Sequence, residues 1–361
     1  MLDKLKAIFT KRTDSPGKAS RVDKTKKSTP AKPVQMTSGQ KTENSSEIKY
    51  GKEISDTQIE RKKYIQKSPP KIHKVAAGDT LAKISRRYGV SLEALYSVNP
   101  GFNENTKLKL GQRVNIPSAR KIVNVKNLSD VAKAMGLSEA FVKQWKKAED
   151  TPNTPDNKFH NTPYIDKAGV KTIGIGHAIQ NDKDKQEIIK KYGDLNLSNA
   201  EVCELFASDL LEAEENISAI IGQNNYDKMP QPMKEALLDL VFNKGNAIIK
   251  DTEGLAWCLK NGKYEAAINK FTNIKSTNTG KEMSGLAKRR LFDISIATKM
   301  YSGKAPQSNV ATAQALYDKG VALLRAECKE KGKSFEAQIV GYNKDIQSYF
   351  GNKITLKYIT K

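Results

Sequence analysis

Glu149, Asp166 and Thr172 are the residues of this 361-residue chain whose types and spacing could do chemistry together. They bring a carboxylate, a second carboxylate and a hydroxyl to one glycine-rich segment that runs from Pro163 to His177. Breaking a glycosidic bond needs those groups. The departing oxygen requires a proton and the oxocarbenium-like centre requires negative charge, so a protonated and an ionised carboxyl must coexist. Ile173 and Ile175 alternate with Thr172, Gly174 and Gly176, which predicts a short hairpin strand whose glycines let a bulky ligand approach the backbone. Asp166 and Thr172 flank the turn made by Lys167, Ala168 and Gly169, close enough to share a water molecule.

The run resembles the signature of the phage-type lysozymes, a glycoside hydrolase family: a Glu, then Tyr-x-Asp-x-x-Gly, then Thr-x-Gly-x-Gly-His. Tyr164, Asp166, Gly169, Thr172, Gly174, Gly176 and His177 carry it here. The resemblance implies that Glu149 is the general acid, Asp166 the carboxylate that activates water, and Thr172 the hydroxyl that orients it. An acid at an apolar helix end, after Phe141, Val142 and Trp145, keeps its proton, while a carboxylate in a polar turn loses it. The family inverts the anomeric centre, which requires the carboxyl groups to stand roughly 6.5 to 9.5 Å apart. The chain departs from the family where Glu149 is followed by Asp150 and an inserted stretch, residues 151–162, so Asp150 competes for the role of acid.

Downstream, Ser198 and Glu201 form a capping box that opens a helix with Val202, Leu205, Leu210 and Leu211 on its apolar face. Val241-Phe242-Asn243-Lys244-Gly245 ends another apolar helix, and Gly285-Leu286-Ala287-Lys288-Arg289-Arg290 opens a later one; both match family elements. By the resemblance, Ala178, Phe242 and Asn243 are expected to bind substrate. Phe242 also reads as an ordinary core aromatic, and His177 as a structural histidine beneath the hairpin.

A second unit runs from His73 to Pro117. Gly78-Asp79-Thr80-Leu81, Ile84, Tyr88-Gly89-Val90-Ser91, Leu95, Asn99-Pro100 and Leu110-Gly111-Gln112 predict a strand, two short helices and a return strand. Asp79 or Thr80 caps the first helix, Gly89 ends it, and Ser91 caps the second. This pattern resembles a LysM module. The resemblance implies a groove for N-acetylglucosamine chains, with Gly78, Asp79, Thr80, Leu81, Asn99 and Pro100 as its glycan-binding residues; the same residue types also serve as turns and caps alone.

Other elements must hold these units in place. Residues 1–72 are rich in Lys, Ser, Thr and Pro, with 18 Lys/Arg against 8 Asp/Glu, and are expected to be a disordered basic arm. Leu2, Leu5, Ile8 and Phe9 suggest a short amphipathic helix at its start, too short for a secretion signal or a membrane span. Residues 119–148 read as a helical connector, 149–302 as the lysozyme-like domain, and 303–361 as a helical extension of unknown role that ends in a strand over 354–359. The fold class expected is α+β, a mostly helical lysozyme-like domain with a small β hairpin, plus a βααβ module and the disordered arm.

Three cysteines without paired spacing, Cys203, Cys258 and Cys328, are expected to be free and buried. Three histidines and no Cys-x-x-Cys or His-x-x-Glu-His spacing leave zinc peptidase readings unsupported, and neither metal nor cofactor is expected. The formal charge of +22 fits an anionic polymer partner. The expected partner is peptidoglycan, with no nucleic acid and no membrane span. The expected activity is that of a muramidase cleaving the β-1,4 bond between N-acetylmuramic acid and N-acetylglucosamine, as a phage endolysin in the host cytoplasm or as an enzyme of the phage tail. The alternative is a structural tail or baseplate component that uses both folds for protein docking.

Overall fold

The computed structural model describes residues 59–149, 158–166, 169–276 and 279–359. The amphipathic start of the arm, Asp150, residues 151–157 of the insertion and the Lys167-Ala168 turn lie outside the described residues. A small βααβ module is built from β2 (Lys71–Lys74), α1 (Leu81–Tyr88), α2 (Leu92–Ser97) and β3 (Arg113–Ile116). Its strands pair antiparallel with His73 opposite Val114. Local chemistry sets its helix ends: Thr80 accepts from the Lys83 N–H, Gly89 takes the left-handed conformation at φ 63°, and Ser91 accepts from the Ala94 N–H. Val75, Leu81, Ile84, Val90, Leu95, Val114 and Ile116 form its own core.

The disordered arm expected to residue 72 does not extend that far. Residues 59–61 are helical, and β1 (Ile65–Lys67) pairs antiparallel with β4 (Arg120–Ile122), Lys67 opposite Arg120. The connector expected to be helical from residue 119 therefore starts with a strand. The βααβ module sits at the far end of this ribbon, reached through Ser68-Pro69-Pro70 on one side and Pro117-Ser118-Ala119 on the other. Polar tripeptides such as Ile65-Gln66-Lys67 become a strand only because a distant partner supplies the ladder.

The ribbon leads into the main lobe. α3 (Leu128–Met135) is capped by Asn127 and ended by Gly136, and α4 (Glu139–Glu149) follows it. A three-stranded antiparallel sheet comes next: β5 (Tyr164–Ile165), β6 (Lys171–Ile173) and β7 (His177–Ala178). The expected hairpin strand from Thr172 to Gly176 thus stops at Ile173. Gly174 and Gly176 have φ of 61° and 78° and turn the chain into β7 instead. The helices that follow are α5 (Asp182–Tyr192), α6 (Asn199–Ile221), α7 (Gln223–Asp227), α8 (Gln231–Lys244), α9 (Ala247–Asp251), α10 (Leu255–Lys260), α11 (Tyr264–Ile268), α12 (Ser284–Ala297), α13 (Gln307–Glu330) and α14 (Phe335–Phe350). The Ser198/Glu201 capping box opens α6 as expected.

One core runs through the lobe from Ile122 to Leu356, so α3, α4, α13 and α14 belong to it. They are neither a connector nor an appendage. Gly320 lets α13 cross α12 closely: a Cβ there would meet Tyr342 Oη at 2.2 Å and the Ala287 methyl at 2.9 Å. The terminal strand expected over 354–359 is absent. Side chains of the two helices satisfy that backbone instead: Gln314 accepts from the Lys357 N–H and donates to its carbonyl, Tyr317 Oη accepts from the Ile359 N–H, and Asn343 donates to the Ile359 carbonyl.

The ribbon is fixed to α6 by buried charge. Arg61 and Arg120 both contact Glu214, at 2.8 and 2.6 Å, and Arg120 also reaches Glu215 at 2.9 Å. α2 packs against α6, and Lys250 pairs with Glu93 at 2.7 Å. No helix among the described residues is long and apolar enough to cross a membrane.

Candidate active site

Asp166 ends β5 and starts a turn in which the Gly169 N–H donates to the Asp166 carbonyl. Its carboxylate Oδ1 accepts from the Val170 N–H at 2.8 Å, while its own N–H donates to the Val170 carbonyl at 2.9 Å. Thr172 is buried, and its hydroxyl donates to the same Val170 carbonyl at 3.1 Å. Cross-strand register puts Tyr164 opposite Thr172 and Thr172 opposite Ala178, so these residues form one row on one face of the sheet. The structure therefore brings Asp166, Thr172 and Ala178 together. Gly174 allows the approach of α6, where Val202 Cγ1 would stand 3.2 Å from a Cβ, and its N–H donates to the His160 carbonyl. The His160 ring stacks on Tyr164 at a centroid distance of 4.0 Å.

Glu149 is the last residue of α4, and its side chain lies outside the described residues. What positions its helix is nevertheless clear. The Ser138 N–H donates to Glu235 of α8 at 2.7 Å, and Ser138 Oγ accepts from the Phe141 N–H. Burial raises the pKa of Glu235, with the Ser138 N–H opposing it. Trp145 is fully buried, edge-on to Phe206 at 5.6 Å and to Phe242 at 5.2 Å. Phe242 thus braces the helix that ends in Glu149. Lys146, also fully buried, places its ammonium 5.1 Å from the centre of the Phe159 ring. Sequence reasoning passed over Lys146 and Glu235, although both interrupt apolar helix faces, a pattern that marks a buried polar group with a partner of its own.

Asn243 is half-buried at the end of α8, where its Oδ1 accepts from Arg290 Nη2 at 3.2 Å. Behind it lies a buried charge cluster. Arg289 forks onto Asp239 at 2.7 and 2.5 Å, and Arg290 Nε lies 2.9 Å from Asp293 Oδ2 in an ionic contact rather than a directed hydrogen bond. Burial pushes Asp293 well above the carboxylate range, whereas Arg289 overcomes the burial of Asp239 and holds it below that range. Burial first, and then Arg290, brings the neighbouring Lys244 down to about 8.

Residues 157–292 match the model of the phage lysozyme family, and residues 73–117 match the LysM domain model. The chain carries a LysM domain and a phage lysozyme domain. It is a glycoside hydrolase of the lysozyme type, and the two domains together make it a muramidase that acts on peptidoglycan. No curated protein matches the chain. Asp166, Thr172, Ala178, Phe242 and Asn243 all fall inside the lysozyme match, whereas Glu149 lies before its first residue.

In the lysozyme domain, His177 Nδ1 lies 3.0 Å from both carboxylate oxygens of Asp209 on α6. Burial opposes the imidazolium, but Asp209, Asp184 and Glu212 outweigh it and the His177 pKa rises. This contact ties β7 to α6. The cysteines Cys203, Cys258 and Cys328 are free and buried, and burial pushes the Cys203 thiol up to about 12.

In the LysM domain the proposed glycan-binding residues divide into two groups. Gly78, Thr80 and Pro100 are exposed. Leu81 is a core residue, and Asn99 is committed to the fold: its amide donates to the Leu95 and Asn115 carbonyls and its Oδ1 accepts from the Asn115 N–H. Asp79 is similarly engaged. It accepts from the Ala76 N–H at 2.8 Å, lies 2.8 Å from His73 Nε2 and meets Arg87 at 3.2 Å. The Ala76 N–H, then His73, hold its carboxyl below the ordinary range. Of the six residues, Gly78, Thr80 and Pro100 are therefore on the surface, while Leu81, Asn99 and Asp79 are held by contacts within the module.

Proposed function

We propose that the chain hydrolyses the β-1,4 bond between N-acetylmuramic acid and N-acetylglucosamine with inversion, using Glu149 as general acid, Asp166 as general base and Thr172 to orient the water. The observation that carries this reading is the shared bracing of Asp166 and Thr172 on Val170. Because the Thr172 hydroxyl hydrogen is spent on the Val170 carbonyl, its oxygen is left to accept from water. A water that donates one hydrogen to Thr172 and the other to Asp166 points its lone pair away from the sheet, toward a sugar lying over it. Asp166 takes the proton as oxygen attacks the anomeric carbon, and Glu149 delivers its own proton to the departing oxygen.

Ala178, in register with Thr172, gives this water a small neighbour, and Asn243 presents an amide at the end of α8. The LysM domain holds the enzyme on the glycan. The setting on this reading is phage attack on a bacterial wall, by an enzyme free in the host or carried on the particle. Muropeptide analysis of digested peptidoglycan tests the reaction: reducing N-acetylmuramic acid ends of inverted anomeric configuration are expected, and reducing N-acetylglucosamine ends would refute it. Mass spectrometry of purified particles separates the free enzyme from the carried one.

A further inference from the structure

Where the β ribbon meets the LysM domain there is a cavity of about 520 Å³. Lys67, Lys71, Arg87, Arg120 and Lys121 line it, and no acidic residue does. Arg87 is paired with Asp79, and Arg120 with Glu214 and Glu215. Lys67, Lys71 and Lys121 are exposed and have no ion-pair partner among the described residues. Lys67 stands directly opposite Arg120 in the ladder, and because Glu214 and Glu215 already compensate Arg120, the charge left over at this end of the ribbon is that of the lysines.

We propose that this cavity binds a phosphodiester polymer of the bacterial wall, so that the chain grips the anionic polymer and the glycan side by side. The cations come from both strands of the ribbon and from the LysM domain itself, which lets one short polymer segment bridge them. The cavity adjoins the domain that brings the chain to the wall, so the ligand is one found there. Duplex nucleic acid, stiff over many base pairs, does not fold into a concavity of this size. The chain's own residues 1–58 carry 13 Lys/Arg against 7 Asp/Glu, a net charge of the same sign as this lining. The proposal relies on the muramidase reading only for the presence of a wall; it does not depend on which carboxylate is the acid.

The test uses the full chain and soluble poly(glycerol phosphate), which holds no glycosidic bond to cut, so binding is read independently of hydrolysis. Wild type is expected to bind it, to bind inorganic phosphate at least tenfold more weakly, and to bind duplex DNA of equal charge more weakly. The Lys67→Gln/Lys71→Gln/Lys121→Gln variant should lose at least tenfold in affinity while its unfolding midpoint stays unchanged. If that variant melts early, Lys121→Gln alone should still lose several-fold. Equal binding by wild type and the stable variant, phosphate binding as tight as polymer binding, or preference for DNA would each overturn the proposal.

Discussion

Asp166 and Thr172 are held by a single residue between them: Val170 gives its N–H to the Asp166 carboxylate and receives the Thr172 hydroxyl on its carbonyl. Asp166 and Thr172, proposed as base and water-orienting group, therefore move as one unit. Their spacing is set by backbone, which is stiffer than any pair of rotamers.

This arrangement predicts different outcomes for two substitutions. Thr172→Val keeps the shape and removes the acceptor, so kcat on peptidoglycan should fall by roughly 10²-fold, within the range for loss of a group assisting proton transfer. Asp166→Asn should fall at least as far. Thr172→Ser retains the hydroxyl and should retain most of the rate. If Thr172→Val matched wild type in a turbidity assay on walls, the water-orienting role would be lost.

Glu149→Gln should abolish hydrolysis while the unfolding midpoint is unchanged, because only proton donation to the leaving oxygen is removed; general acid catalysis contributes about 10² to 10⁴-fold. Glu149 lies outside the family match, which makes the comparison with Asp150→Asn the informative one. Activity retained in the first variant and lost in the second would transfer the role to Asp150.

Much of this site was legible because its determinants are local. Thr80, Gly89, Ser91 and the Ser198/Glu201 box cap their helices through contacts within a turn, and the spacing from Tyr164 to His177 survives as a pattern of residue types. What was missed depends on distant partners. Nothing in Ile65-Gln66-Lys67 announces a strand, since its ladder comes from Arg120, Lys121 and Ile122. The alternation over 354–359 reads as a strand, yet its hydrogen bonds come from Gln314, Tyr317 and Asn343, which only tertiary packing brings there. Ile175 alternates like a strand residue too, but the positive φ of its two glycine neighbours decides otherwise.

Glu214 should make stability depend on acid pH. Burial raises its pKa, but Arg61 and Arg120 outweigh burial and the folded value falls below 4.5. The stabilisation is therefore present above the unfolded value and lost as pH falls through the folded one. Glu214→Gln leaves two arginines against an uncharged amide and should cost about 3 to 5 kcal/mol near pH 7. Denaturant midpoints for the two proteins should converge as pH drops below that range; a constant difference down to strong acid would reject the linkage.

His177 should act with the opposite sign. Its folded pKa lies above the ordinary 6.5, so the pairing with Asp209 stabilises fully below that value and is lost as pH rises through the raised one. The gap in unfolding midpoint between wild type and His177→Gln should thus be widest in mild acid and narrow toward alkaline pH. An imidazole titration by NMR with its midpoint below 6.5 would contradict this.

The ribbon also dictates how the LysM domain should be removed. Cutting away residues 1–118 deletes Arg61 and β1 and leaves Glu214 half-paired in the interior, so loss of activity would say nothing about glycan binding. Because the Ser68 N–H donates to the Ala119 carbonyl, so that Ser68 and Ala119 form a hydrogen-bonded pair, residues 69–118 can instead be replaced by Asn-Gly, whose type I′ turn closes such an antiparallel pair. That protein keeps Arg61, Arg120 and Glu214 together, so it should lose only the α2–α6 contact and the Glu93–Lys250 pair in stability, and it should hydrolyse soluble glycan fragments at the wild-type rate, since no proposed catalytic residue is removed. On intact walls it should lose activity by about 10²-fold, the advantage of a second attachment to one polymer. Equal activity on walls and on fragments would show that the LysM domain does not hold this enzyme on its substrate.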